Sequence, residues 1–181
     1  RRRHTRLVSA FLLNRSSDLA MAKNVDATTL TTKNEAFRRD AFDQYLKQGG
    51  FPELLHRKNK TGYVNTLVKN ILKRDIEQRH KIKYSRAVEQ LAQHLLNIAP
   101  ATIVSKDLAN LLKIKSSHTV DNYINYMMEA YLLVELRRYS TKSKNRLYDK
   151  KVYPIDVALM DGREDAFSGE NLGFRLESLV Y

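Results

Sequence analysis

The side chains whose types and spacing suit chemistry in this chain are cationic and polar. Residues 137–151 hold Arg137, Arg138, Lys142, Lys144, Arg146, Lys150 and Lys151 against Asp149 alone, a local charge of +6. Such a run attracts phosphates, because each neutralised phosphate releases condensed counterions. Just upstream, Lys115, Ser117, His118, Thr119, Asn122, Asn125 and Tyr126 fall on the polar side of one predicted helix. Hydroxyl, amide and cationic side chains in that setting suit phosphate oxygens and base edges, which makes DNA the expected partner. The plainer reading of the run is a solvated loop. His118 alone reads as a surface residue of the first helical turn, and Met127 and Met128 read as core packing.

Catalytic constellations are missing. A phosphate-binding loop needs Gly-x-x-x-x-Gly-Lys-Ser/Thr, whereas the Lys60-Thr61 pair follows Asn59 and has no Gly five residues before it. No Ser/His/Asp order and no close carboxylate pair has supporting context, so no catalytic residue is assigned. Asp75 and Arg79 lie one helical turn apart and read as an exposed ion pair, worth a few tenths of a kcal/mol. Zero Cys excludes disulfides, thiolate catalysis and Cys-based zinc sites, and five scattered His give no expected metal site.

With 181 residues, 43% hydrophobic and 29% charged, the chain has the composition of a folded protein with a core of its own. The net charge of +12 is concentrated. Residues 1–15 contribute +5 and residues 137–151 contribute +6, leaving +1 elsewhere. No apolar run approaches the ~20 residues of a membrane helix, and the first segment lacks a signal peptide's apolar stretch. The expectation is a cytoplasmic protein without a membrane partner. The opening Arg1-Arg2-Arg3 without Met, and an apolar helix running to the last residue, are expected to mark a piece of a longer chain.

The elements that must position these residues follow from periodicity. Residues 16–34 read as loop. From Asn34 to Gln48, Phe37, Ala41, Phe42, Tyr45 and Leu46 recur at helical spacing, with Gly49 and Gly50 as the stop and Pro52 opening a turn. Val64, Leu67, Val68, Ile71 and Leu72 predict one helix over 61–82, and Val88, Leu91, Ala92, Leu95 and Leu96 another over 84–98. Ile103 enters a short helix capped by Ser105, burying Leu108, Leu111 and Leu112. A polar turn leads to a helix over 118–131 with Val120, Ile124, Met127 and Tyr131 inward. Residues 132–136 and 152–155 read as strands flanking the basic loop. The expected fold is mainly α with a small β-hairpin: helix, short helix, turn, longer helix, strand, basic loop, strand. That is the order of a winged helix-turn-helix, with 118–131 as recognition helix and 138–151 as wing.

Several stretches carry a resemblance: residues 42–53 with Gly49-Gly50-Phe51-Pro52-Glu53, then Arg74-Asp75-Ile76 with Arg79, Thr119-Val120 to Leu132-Leu133, Lys151-Val152-Tyr153-Pro154-Ile155-Asp156, and Leu172-Gly173 with Leu176-Glu177 and Val180-Tyr181. Over residues 37–181 the chain resembles the C-terminal half of a prokaryotic AAA-like P-loop ATPase family, similar to archaeal-type and STAND-like ATPases. The resemblance implies a loop or divergent end of an ATPase core at 1–33, a helical lid at 34–83, a winged helix at 84–156 and the start of a truncated nuclease-like region at 157–181. It further implies ATP as the parent protein's cofactor, with Gly49, Gly50 and Pro52 in the lid element that meets the adenine, and the upstream ATPase core as a partner. Glu177 would match the first-helix Glu of the nuclease-like region. Ala158 stands where that family has Gly, and Ser178 where it has Asn, and both departures speak against nuclease chemistry.

Two functional expectations result. In one, the wing (Arg138, Lys142, Lys144, Arg146) and the recognition helix bind DNA. In the other, lid and winged helix couple the parent's nucleotide state to a protein partner.

Overall fold

The computed structural model describes residues 32–137, 150–160 and 172–180, and within them the fold is mainly helical with one small antiparallel sheet. Helix α1 (Thr32–Gln48) buries Phe37, Ala41, Tyr45 and Leu46, the stripe its spacing predicts, while Phe42 stays exposed. It stops at Gly49, whose φ of +78° suits a residue without a Cβ. A single 3-10 turn, Pro52–Leu55, follows and buries Leu54.

Helix α2 (Lys60–Asn70) is capped by Asn59, whose side chain accepts from the Gly62 N–H. The periodicity predicts one α-helix over 61–82, but residues Ile71–Gln78 continue α2 as π-helix. The Ile82 N–H reaches back five residues to the Glu77 carbonyl at 3.0 Å and closes that wider turn. Leu72 and Ile76 both enter the core there, so tertiary packing overrides the local period.

Helix α3 (Ser85–Ile98) buries Val88, Leu91, Ala92, Leu95 and Leu96 at the i, i+3, i+4, i+7, i+8 positions of one face. Strand β1 (Ala101–Ile103) comes next, where the sequence reads as the entry to a helix. Helix α4 (Ser105–Leu111) buries Leu108 and Ala109 and leaves Leu111 exposed. Ser105 does not cap it: its hydroxyl donates to Asp121 Oδ1 at 2.6 Å. Helix α5 (Ser117–Glu129) is capped by Ser116, which accepts from the His118 N–H at 3.1 Å, and buries Val120, Tyr123, Ile124 and Met127. It ends at Glu129, short of its predicted span, and Tyr131, expected to face inward, is exposed with φ of +57°.

Strands β2 (Leu133–Arg137) and β3 (Lys150–Pro154) form the predicted hairpin pair, registered from Leu133 opposite Pro154 to Arg137 opposite Lys150. Strand β1 pairs with the other edge of β3, Ala101 opposite Val152, so the order is β1-β3-β2. The central strand is accordingly buried at Val152, Tyr153 and Pro154. A 3-10 turn, Val157–Met160, and helix α6 (Leu172–Val180) complete the described chain and pack on α1. One apolar core joins Leu54, Leu72 and Ile76 to α3, α5 and the sheet. Leu95, fully buried at its centre, tests that core: Leu95→Ala is expected to cost about 2–5 kcal/mol in a denaturant melt, the range for a buried Leu truncated to Ala.

Candidate nucleic-acid interface

Helix α5 presents the polar residues singled out in the sequence. Ser117 and His118 at its first turn, and Lys115 just before it, are exposed, while Thr119 and Asn122 are half-buried. Tyr126 does not belong to an open polar face. The His80 ring stacks on it with centroids 3.6 Å apart and planes 12° from parallel, and His80 Nε2 lies 3.5 Å from Glu129 Oε2. The end of α2 therefore covers the C-terminal half of α5. Helical spacing alone gives no sign of that cover, because the partner is some forty residues upstream.

The charge at the base of the basic segment is also redistributed. Arg137 pairs with Glu135 at 2.8 Å, Lys150 lies 3.3 Å from Asp121 and 3.9 Å from Glu135, and Lys151 pairs with Glu177. Three of the seven cations counted in the local +6 are thus met by carboxylates of α5, β2 and α6. Arg138, Lys142, Lys144 and Arg146 lie outside the described residues.

A second group forms around the glycine pair. Gly50 N–H donates to both carboxylate oxygens of Asp156, at 3.1 and 2.9 Å, and Ala158 N–H donates to Asp156 Oδ1 at 2.8 Å. A Cβ on Gly49 would stand 2.2 Å from Asp156 Oδ1 and 2.5 Å from the Ala158 Cβ. Gly49 and Gly50 are buried against Asp156 and Ala158, and Pro52 is exposed. The two glycines and Asp156 sit in separate motifs 106 residues apart, and the structure brings them into one clasp. Arg175 of α6 adds to it by donating to the carbonyls of Leu46, Lys47 and Val157. A cation at the C-terminal carbonyls of α1 is also favoured by the helix dipole.

Alongside, Glu177 accepts from Lys151 and, at 2.9 Å, from the Tyr153 hydroxyl. The Lys151 hydrogen bond, reinforced by that of Tyr153 and opposed by partial burial, holds the Glu177 carboxyl below its ordinary 4.5. Among the described residues no group of three or more His, Asp or Glu could hold a metal ion. A cleft of about 340 Å³ between α2 and α3 has an apolar floor of Val64, Val68, Leu72, Leu96 and Leu159. No described helix is long and apolar enough to cross a membrane.

These features define a mainly helical domain built on one three-stranded antiparallel sheet. Residues 39–163 match the model of a domain of unknown function, DUF8612, and the chain belongs to that family. It is similar to an uncharacterized protein of Methanocaldococcus jannaschii, with 34% identity over 146 residues that cover 77% of this chain and 32% of the relative. An uncharacterized protein of Haemophilus influenzae is 24% identical over 169 residues, 88% of this chain and 40% of that one. The chain therefore spans well under half the length of these relatives. No solved structure matches it.

Two substitutions test the clasp and its neighbour. Gly49→Ala places a Cβ at positive φ and against Asp156, and is expected to cost at least about 2 kcal/mol in thermal or denaturant melts. For Glu177 the folded carboxyl is the more acidic, so its stabilisation is present above the unfolded-state value and is lost as pH falls through the folded one. The melting temperature of Glu177→Gln is expected to lie below wild type at neutral pH and to converge with it in acid. A constant offset at all pH values would show that the ionised pair contributes nothing.

Proposed function

We propose that this domain is a winged helix-turn-helix that binds DNA, as the C-terminal part of a longer AAA-like ATP-binding protein. The observation that carries this reading is the succession α3, β1, α4, α5, β2, β3 with sheet order β1-β3-β2 and a basic connection between β2 and β3. In a winged helix that connection is the wing and α5 the recognition helix. Residues 138–149 hold Arg138, Lys142, Lys144 and Arg146 against Asp149. Helix α5 supplies polar hydrogen-bonding groups, Ser117, His118, Thr119 and Asn122, with Lys115 at its entrance. Such groups suit base edges and the cations suit phosphates. In the parent protein, ATP bound by an upstream ATPase core controls when the module engages DNA, and Pro52, exposed beside the clasp, belongs to the lid that meets the core.

A second reading, a docking module that couples nucleotide state to a protein partner, is favoured by one observation. Leu172, Leu176 and Val180 of α6 share a side of the helix and are 46%, 43% and 80% exposed.

Fluorescence anisotropy with a mixed-sequence DNA duplex across a salt series separates the two. The expected result is binding that weakens steeply with salt, and a flatter slope when Arg138, Lys142, Lys144 and Arg146 are all changed to Ser. Binding that is absent, or indifferent to the four changes, would leave the docking reading.

A further inference from the structure

We propose that residues 79–86, the turn after α2 together with the first two residues of α3, form a second phosphate-contacting surface that lies beside α5 and meets the DNA backbone through Arg79, Lys81, Lys83 and Arg86. The inference rests on the reading of α5 as the element that faces DNA, and it extends the interface to a segment remote in sequence from the wing.

The turn concentrates positive charge with nothing to offset it. Eight residues, Arg79 to Arg86, contain four Lys or Arg and no acid. All four cations are exposed, and none has a carboxylate partner among the described residues. Asp75 and Glu77, one turn upstream, do not pair with them, so the ion pair expected between Asp75 and Arg79 is not formed. The contrast with the base of the wing is direct, since Arg137, Lys150 and Lys151 each meet a carboxylate. Unpaired like charges on a short segment repel one another, and an anion that spans them removes that repulsion.

The turn is also fixed in place against α5. Its backbone is closed by the Ile82 N–H to Glu77 carbonyl bond and the Ala87 N–H to Tyr84 carbonyl bond, and Lys81 sits at φ of +50°. His80 stacks on Tyr126 and approaches Glu129. Tyr84, 69% exposed, lies close enough to Tyr123 of α5 that its phenol helps to raise the Tyr123 hydroxyl, after burial and Tyr126. The first turn of α3, immediately after Tyr84, carries no acid and no side-chain cap, which adds the positive end of a helix dipole to the same surface.

Helix α5 itself carries no Lys or Arg, and of its two acids Asp121 is held by Ser105 and Lys150 and Glu129 by His80. Lys113 and Lys115 lie at one end of it and the 79–86 turn at the other. A polar helix without Lys or Arg, bracketed by cations, divides the labour between base edges and flanking phosphates.

The test uses the full 181-residue chain and a mixed-sequence duplex in anisotropy titrations over a range of salt. Three forms are compared: wild type, the wing variant with its four Ser substitutions, and a turn variant carrying Arg79→Gln, Lys81→Asn, Lys83→Gln and Arg86→Gln. Asn at position 81 tolerates the positive φ. The expected slope of log affinity against log salt falls by about 0.9 for each cation that meets a phosphate, so by about 3 to 4 in the turn variant with the wing intact. A double variant, Lys83→Gln with Arg86→Gln, leaves the backbone at Lys81 untouched and is expected to give about half that change. DNA binding that depends on the wing but keeps its slope in both turn variants overturns this inference alone. Wild-type protein that binds no duplex overturns it together with the reading of α5. Turn-dependent binding to anionic lipid vesicles in place of duplex also overturns it.

Discussion

The Asp156 carboxylate is the point at which the end of the first helix is joined to the exit of the sheet. It accepts from Gly50, just after α1, and from Ala158, just after β3, and leaves no room for a side chain at position 49. Hydrogen bonds to an ionised carboxylate are worth about 1.5–3 kcal/mol each. Their larger effect here is geometric. Strand β3 is the middle of the sheet, so fixing α1 to its end fixes α1 to both edge strands, and through their helices to the core. Arg175 uses the same place: the α1 carbonyls that lack helical partners become its acceptors, and α6 is held where Glu177 reaches Lys151 and Tyr153.

The electrostatics follow from this packing more than from the local sequence. Counting along the chain puts seven cations in residues 137–151, but folding brings Asp121, Glu135 and Glu177 to Lys150, Arg137 and Lys151. The strands that support the basic segment are thereby neutral at their base, and excess charge remains with the cations beyond them. The opposite happens at residues 79–86. Along the chain these cations are flanked by acids on either side, yet among the described residues none of those acids pairs with them.

What could be read in the sequence is what depends on short-range period. The stripes of α1, α3 and α5 are set by apolar residues recurring every three or four positions, and β2 and β3 by β-prone runs flanking polar sequence. Strand β1, only three residues long, is too short for alternation to register, and it exists because β3 has a second edge to satisfy. The π segment is equally illegible, since a change of helical pitch by packing leaves no mark in residue types. Gly49 and Gly50 could be placed as a helix stop. Their reason, a carboxylate 106 residues away, is a long-range contact that a single sequence does not reveal. Tyr126 shows the same limit within the candidate site: its polar hydroxyl suggests an open face, whereas its ring is the platform for His80.

Helix α5 is consequently tied at both ends to different parts of the molecule. Near its start, Asp121 links it to Ser105 of α4 and to Lys150 of β3; near its end, Tyr126 and Glu129 link it to His80 beyond the π segment of α2. The inner links are held by buried core contacts, with Val120, Ile124 and Met127 fully or almost fully enclosed. At the His80 link the contact is made by a stacked ring and a carboxylate that is itself exposed. The His80 contact and the charged turn are adjacent in sequence, so the same end of α2 that covers Tyr126 also places the 79–86 cations beside α5.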